Sequence, residues 1–275
     1  MKISERINKL KLKKLNYYAF LLHFISAVVV AGILFGASED VKFNTNLYGY
    51  KIDTISGDGK TLTFSYGQEG DPVVVNSSSA LKSIIVLIFL ITAFFHFFYW
   101  RSKRYIDEVK TGKNRFRWIE YAITASMMIY IYCILSGVKD LYTTFLIVIL
   151  NIVMMSFGYF LEMSRTPESK LTAIIMGFFI LTVIFSIAYY QFVMNIDAAK
   201  ATFDIPDWVY AIVIAMVFWW VTFGVIAVLY YKSYLNGTLD FTRYEKYYVF
   251  LSFVSKAFMG YYITFGLTRD SPKEN

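Results

Sequence analysis

The sequence predicts an all-α membrane protein of seven transmembrane helices. Three observations carry that expectation. Of the 275 residues, 57% are hydrophobic and the mean hydropathy is +0.49, more apolar side chain than a soluble domain of this size holds. Seven apolar runs of about 20 residues, long enough to cross a bilayer, fall at roughly 17–37, 80–100, 118–137, 141–162, 172–194, 208–231 and 247–267. Basic residues gather at alternate ends of these runs, which is a membrane-topology signal.

Residues 1–16 form a basic segment with Lys2, Arg6, Lys9, Lys11, Lys13 and Lys14. The run that follows could be a signal peptide with Gly36 and Ser38 near a cut. It is long for a signal core, and a retained first helix is the expectation. The second-to-third connection carries Arg101, Lys103, Arg104, Lys110, Lys113, Arg115 and Arg117; the fourth-to-fifth carries Arg165 and Lys170; the sixth-to-seventh carries Lys232, Arg243 and Lys246. Acidic residues lie on the other side: Glu39, Asp40, Asp53, Asp58, Glu69 and Asp71 in the first loop, then Asp197, Asp204 and Asp207. The positive-inside rule puts the amino terminus in the cytoplasm and the tail 268–275 outside. The net charge of +7 therefore speaks of topology, and no basic groove with interleaved aromatics points to nucleic acid. The basic loops suit anionic lipid headgroups or a soluble cytoplasmic partner.

The first outer loop, 38–79, is too long for a simple turn. Tyr50 to Ile55 and Thr61 to Tyr66 alternate polar and apolar residues around Ser56-Gly57-Asp58-Gly59-Lys60. That pattern reads as a β-hairpin. Its edge could pair with a second copy of the chain, or the hairpin could cover the outer helix ends. Cys133 is the only cysteine, so neither an intrachain disulfide nor a cysteine metal site can form.

Few ionisable residues lie inside the runs, and the candidates for chemistry are His23, His96, Glu120 and Lys256. A lysine at a helix centre costs roughly 2.5 to 3.5 kcal/mol to insert, so it needs a partner. Glu120 is the candidate. A buried lysine amine facing a carboxylate suits an aldehyde cofactor held as a protonated Schiff base; a structural Lys–Glu ion pair between two helices is the alternative. Glu120 opens its run, whereas Lys256 lies about ten residues, roughly 15 Å, into its own. The two meet only if the third helix begins well before Arg117, near Lys110 or Gly112, with Arg115 and Arg117 inside the protein or snorkelling. Glu162 and Glu245, at helix ends, are expected to be solvated. Ser252, one turn before Lys256, can hydrogen-bond the imine or its carboxylate, or serve as a small residue for helix packing. Tyr121, Thr124 and Met128 share the face of Glu120 and would line one wall of a pocket. Trp219 and Trp220, with Met127, Met128, Met154 and Met155, could wall an apolar ligand, and at most one of the two tryptophans faces inward. His23 and His96 could form a proton-accepting pair or be satisfied core residues; two histidines alone make a poor metal site.

The segments Phe116-Arg117-Trp118-Ile119-Glu120-Tyr121, Phe157 to Glu162 and Tyr248 to Lys256, with Leu22-His23 and Ala93 to Phe97, resemble the heliorhodopsin family across nearly the whole chain. The resemblance implies a rhodopsin-like bundle over 17–267 with inverted orientation in the cell membrane. It implies covalently bound all-trans-retinal on Lys256, Glu120 as counterion, Ser252 beside the imine, and His23 and His96 handling the released proton. Asn151, Met155 and Gly158 resemble pocket residues, and Trp220 the aromatic packed on the polyene. Where the family often has a serine, this chain has Ala125, and Thr124 is expected to compensate. The resemblance further implies a homodimer and a slow photocycle from all-trans to 13-cis. The output implied is sensory signalling, with light-gated passive proton transport as the alternative. Pumping is disfavoured because the outer halves of the third, sixth and seventh runs contain no Asp or Glu.

Overall fold

The computed structural model describes the backbone of residues 3–36, 50–55, 62–66, 78–138, 140–200 and 207–269. Among them are eight helices: α1 (Ile3–Gly36), α2 (Ser78–Arg101), α3 (Lys103–Lys110), α4 (Arg115–Leu135), α5 (Leu141–Met163), α6 (Pro167–Lys200), α7 (Asp207–Leu235) and α8 (Phe241–Arg269). All but α3 are long and apolar enough to cross a membrane, the spans running Lys11–Gly36, Leu81–Arg101, Arg115–Leu135, Leu141–Met163, Pro167–Met194, Asp207–Leu235 and Phe241–Thr268. They close a ring. α1 packs on α2, α2 on α4, α4 on α5, α5 on α6, α6 on α7, α7 on α8, and α8 back on α1. The outer faces carry large exposed apolar side chains such as Phe94, Phe145, Ile214 and Phe250. Water does not tolerate that much contiguous apolar surface, and a bilayer does. The chain is an integral multi-pass membrane protein.

In the first long loop, β1 (Tyr50–Ile55) pairs antiparallel with β2 (Leu62–Tyr66). Tyr50 lies opposite Tyr66 and Ile55 opposite Leu62, with an irregularity in register between Ile52 and Thr54. The turn expected at 56–60 and the tail from 270 lie outside the described residues.

Several helices start earlier than their apolar runs, because polar side chains cap first turns that apolar patterning cannot see. Asn114 caps α4, its side chain accepting from Arg117 N at 3.2 Å. Asp140 caps α5 by accepting from Thr143 N at 2.7 Å. Asp240 accepts from Thr242 N at 3.0 Å ahead of α8. At the other end of α5, Lys170 Nζ donates to the carbonyl of Leu161 at 2.6 Å, a cation on a helix C-terminus. The short α3, absent from the apolar pattern, is amphipathic and buries Tyr105, Ile106 and Val109. Gly112, at φ 77°, turns the chain from α3 into α4 in a conformation other residues resist.

The start of α4 departs from expectation. It does not extend back to Lys110 or Gly112; it begins at Arg115. Arg115 is half-exposed and pairs with Glu108 at 2.5 Å. Arg117 is buried, its guanidinium forked between Glu162 of α5 and Glu245 of α8. Glu162 and Glu245 are therefore not solvated. Asn114 completes their shells: its backbone N–H donates to Glu162 and its side-chain amide to Glu245, both at 2.8 Å. The Tyr248 ring lies 4.1 Å from the guanidinium carbon. One arginine thus ties three helices together at the basic end of the bundle.

Replacing Arg117 with methionine leaves two carboxylates buried without a cation. Breaking a buried pair in this way costs about 3–5 kcal/mol, so Arg117→Met should lower the thermal unfolding midpoint markedly in lipid nanodiscs. Arg117→Lys should recover only part of the loss, because an ammonium cannot fork between two carboxylates.

Candidate functional site

Lys256 and Glu120 meet. Lys256 Nζ lies 2.7 Å from Glu120 Oε1 and 2.9 Å from Ser252 Oγ, and all three residues are buried. The mismatch in depth is absorbed by the long side chains of α4 and α8 rather than by an earlier start of α4. Cα–Cβ bonds tilt toward a helix's N-terminus. Lys256 leans back one turn to Ser252, and Arg117 leans back to Glu245 and toward Phe241, whose ring lies 5.8 Å from its guanidinium. Glu120 is three residues beyond Arg117 and Lys256 eleven beyond Glu245. The roughly 12 Å difference, at 1.5 Å per residue, is about the combined reach of one arginine and one lysine.

The carboxylate of Glu120 has a second donor, Tyr99 OH, at 3.3 Å from Oε2. The Tyr121 ring faces Nζ at 5.2 Å, and its hydroxyl donates to Tyr248 O at 3.1 Å. Thr124 lines a cavity beside Ala125. Its hydroxyl donates to the backbone carbonyl of Glu120 at 2.9 Å, the ordinary back-bond of a helical threonine.

An apolar cavity opens from Lys256 and reaches across the bundle to α6. Its walls include Trp118, Tyr121, Thr124 and Met128 of α4, Met154, Met155 and Gly158 of α5, Phe178 of α6, Trp220, Phe223 and Gly224 of α7, and Ser252 of α8. A Cβ on Gly158 would sit 2.1 Å from the Trp118 ring, and one on Gly224 would sit 2.6 Å from Phe178. Both glycines let a large ring approach a helix backbone closely. The donor set fits an apolar aldehyde: one primary amine with a carboxylate beside it, and aromatic and aliphatic walls elsewhere.

Two expected lining residues are placed differently. Met127 does not line the cavity. Asn151 stands behind its wall, accepting from Trp220 Nε1 at 3.4 Å and donating to Ser126 Oγ at 3.0 Å. It orients the wall rather than forming it. Of the tandem tryptophans, Trp220 is buried and lines the cavity, while Trp219 packs half-buried beside Phe258 at 6.0 Å.

His23 and His96 are buried and stacked, ring centroids 5.5 Å apart and planes 6° from parallel. Tyr99 meets the His96 ring edge-on at 5.6 Å, so the pair adjoins the Glu120 site. His96 Nδ1 lies 2.8 Å from Asn16 Oδ1. Asn16 donates to Tyr105 OH at 3.2 Å, and Tyr105 OH donates to Glu245 at 3.0 Å. Burial and the nearby Glu245 carboxylate raise the Tyr105 phenol well above its ordinary range, so it remains a donor.

Sequence reasoning missed Tyr99, Asn16, Tyr105 and Asn114. Tyr99 was within reach, three residues from His96 on the same helical face. Asn16 lies just ahead of the first apolar run and Asn114 in a polar connection, so neither signalled burial.

A model of the heliorhodopsin family matches residues 12–268. No curated protein matches the chain in sequence. Among solved structures, the light-driven proton pump LR (Mac) from Leptosphaeria maculans superposes with a TM-score of 0.63 at 13% identity, covering 93% of this chain and 95% of its own. At that identity the likeness is one of fold.

In the cofactor-free protein, Lys256→Met and Glu120→Gln should each destabilise the bundle by about 3–5 kcal/mol, because each strands a buried charge. The double variant should recover most of that loss. A thermal double-mutant cycle measures the coupling, and additive losses would refute the pairing.

Proposed function

The chain belongs to the heliorhodopsin family, and on that premise we propose that it is a light receptor whose retinal is attached to Lys256. The observation that carries this reading is the buried Lys256–Glu120 pair at the mouth of an apolar cavity. All-trans-retinal bound there as a protonated Schiff base supplies visible absorption and a light-driven isomerisation to 13-cis. The chain's own residues do the rest. Glu120 would hold the positive charge on Nζ in a buried site of low dielectric. Tyr99 and Ser252 orient the carboxylate and the nitrogen. Trp118, Met155, Gly158 and Trp220 shape the cavity and exclude water from it. His23 and His96 would accept a proton released from Nζ.

The output we propose is signalling rather than pumping. Among the described residues of α4, α7 and α8, the buried acids Glu120 and Glu245 lie on the basic-end side of Lys256, as does Glu162 of α5. Asp207 marks the far end of α7 and is exposed. A pump needs proton-carrying groups on both sides of the nitrogen; this arrangement supplies one. Passive light-gated proton transport is the second reading, favoured by the polar chain from His96 to Glu245. The family setting also supports a homodimer in the cell membrane with the amino terminus cytoplasmic. The basic loops would then face anionic headgroups or a cytoplasmic signalling partner.

Protein expressed with all-trans-retinal should show a visible band that bleaches with hydroxylamine and light. Lys256→Ala should have none, and a coloured variant would exclude the attachment site. Glu120→Gln should shift the band to the red. It should also lower the imine's proton affinity, so the visible form gives way to an ultraviolet-absorbing form at lower pH than in the parent. A spectrum unchanged across pH would remove Glu120 from the counterion role. Gly158→Val, which pushes the Trp118 ring into the cavity, should reduce pigment formation while the apoprotein still folds. Photocurrent under voltage clamp separates signalling from proton transport.

A further inference from the structure

The hydrogen bonds around Asn16 have a direction that settles which nitrogen of His96 carries hydrogen. The side-chain amide nitrogen of Asn16 lies 3.0 Å from the carbonyl of Leu12. A carbonyl only accepts, so this edge of the amide must be the NH₂ group, and the oxygen must face His96. That oxygen, 2.8 Å from His96 Nδ1, also only accepts. His96 Nδ1 must therefore donate. The same order continues outward. Asn16 donates to Tyr105 OH at 3.2 Å, and Tyr105 donates to Glu245 at 3.0 Å. Every link donates toward one end of the chain, where the Glu245 carboxylate, shared with Arg117 and Asn114, can only accept. Among the described residues, His96 Nε2 is buried and finds no hydrogen-bond partner.

We propose that Asn16 is a positioning residue that holds neutral His96 in its Nδ1–H tautomer and so reserves Nε2 as the nitrogen that takes a proton. The role of that proton rests on the photoreceptor reading above; the tautomer does not. When a proton arrives at Nε2, the bond from Nδ1–H to Asn16 becomes charge-assisted and strengthens. The amide stays where it is, because Leu12 and Tyr105 hold its other edge. The anionic end of the chain at Glu245 keeps every link polarised in the direction that supports the cation. His96 is thereby a proton acceptor with a fixed orientation.

The chain contains only two histidines, so nitrogen-15 labelling of histidine yields two imidazoles, and His96→Gln assigns them by deleting one. In solid-state NMR of the dark protein in lipid, His96 should show a pyrrole-type Nδ1 and a pyridine-type Nε2. Asn16→Leu should exchange the two signals or mix them. A pyridine-type Nδ1 in the parent protein overturns the proposal, as does an unchanged pattern in Asn16→Leu. The parent spectrum decides the question even if a variant fails to fold. It needs no light, so a missing visible band would count against the photoreceptor reading alone.

Discussion

The constraint on which the rest of this structure depends is the cost of charge where there is no water. Lys256 sits mid-helix at the edge of an apolar cavity, its ammonium held by Glu120 and Ser252 and faced by the Tyr121 ring. Charge at that depth persists only when it is paired and its remaining hydrogen-bonding capacity is filled. Tyr99 and the lean of the lysine toward Ser252 meet that condition. The cavity adjoins the amine because the polar groups crowd to one side of it and leave the other side to aromatic and aliphatic walls.

The same constraint explains the basic end of the bundle. Arg117 enters the protein because Glu162 and Glu245 are there to receive it, and the two glutamates stay buried because Asn114 fills the positions that the arginine leaves open. This cluster fixes the start of α4 and holds α5 and α8 against it. Glu120, one turn further in, inherits its position from that pin. Arg117 of the cluster and Glu120 of the ion pair with Lys256 thus stand one turn apart on α4, and the polar chain through Tyr105 and Asn16 ties the cluster to the histidines.

The resulting asymmetry bears on function. The buried acids of α4, α5 and α8, with Tyr99, Tyr105, Asn16 and both histidines, lie between the amine and the basic end, while beyond the amine the core is built from side chains such as Ile129, Tyr132, Met216 and Ile263. Among the described residues the buried carboxylates thus lie on one side of the amine, and the proposed signalling output rests on that arrangement. The shared fold with a light-driven proton pump does not decide the output, because one fold hosts different functions.

By itself the sequence determined the membrane class, the seven spans and the pairing of Lys256 with Glu120. Apolar runs of bilayer length and a lone lysine inside one of them are signals written in composition, and the cost of burying charge turns them into structure. It also marked His23 and His96 as neighbours, since both sit at similar depth on adjacent helices. Only the tertiary structure decided how Lys256 and Glu120 reach each other, that Glu162 and Glu245 are buried, that Asn151 supports Trp220 from behind, and that Asn16 orients His96. Those facts turn on where helices begin, how far long side chains lean, and which polar residue of a connection folds inward. Each of these is set by contacts between segments far apart in the chain, and hydropathy read along one segment cannot register them.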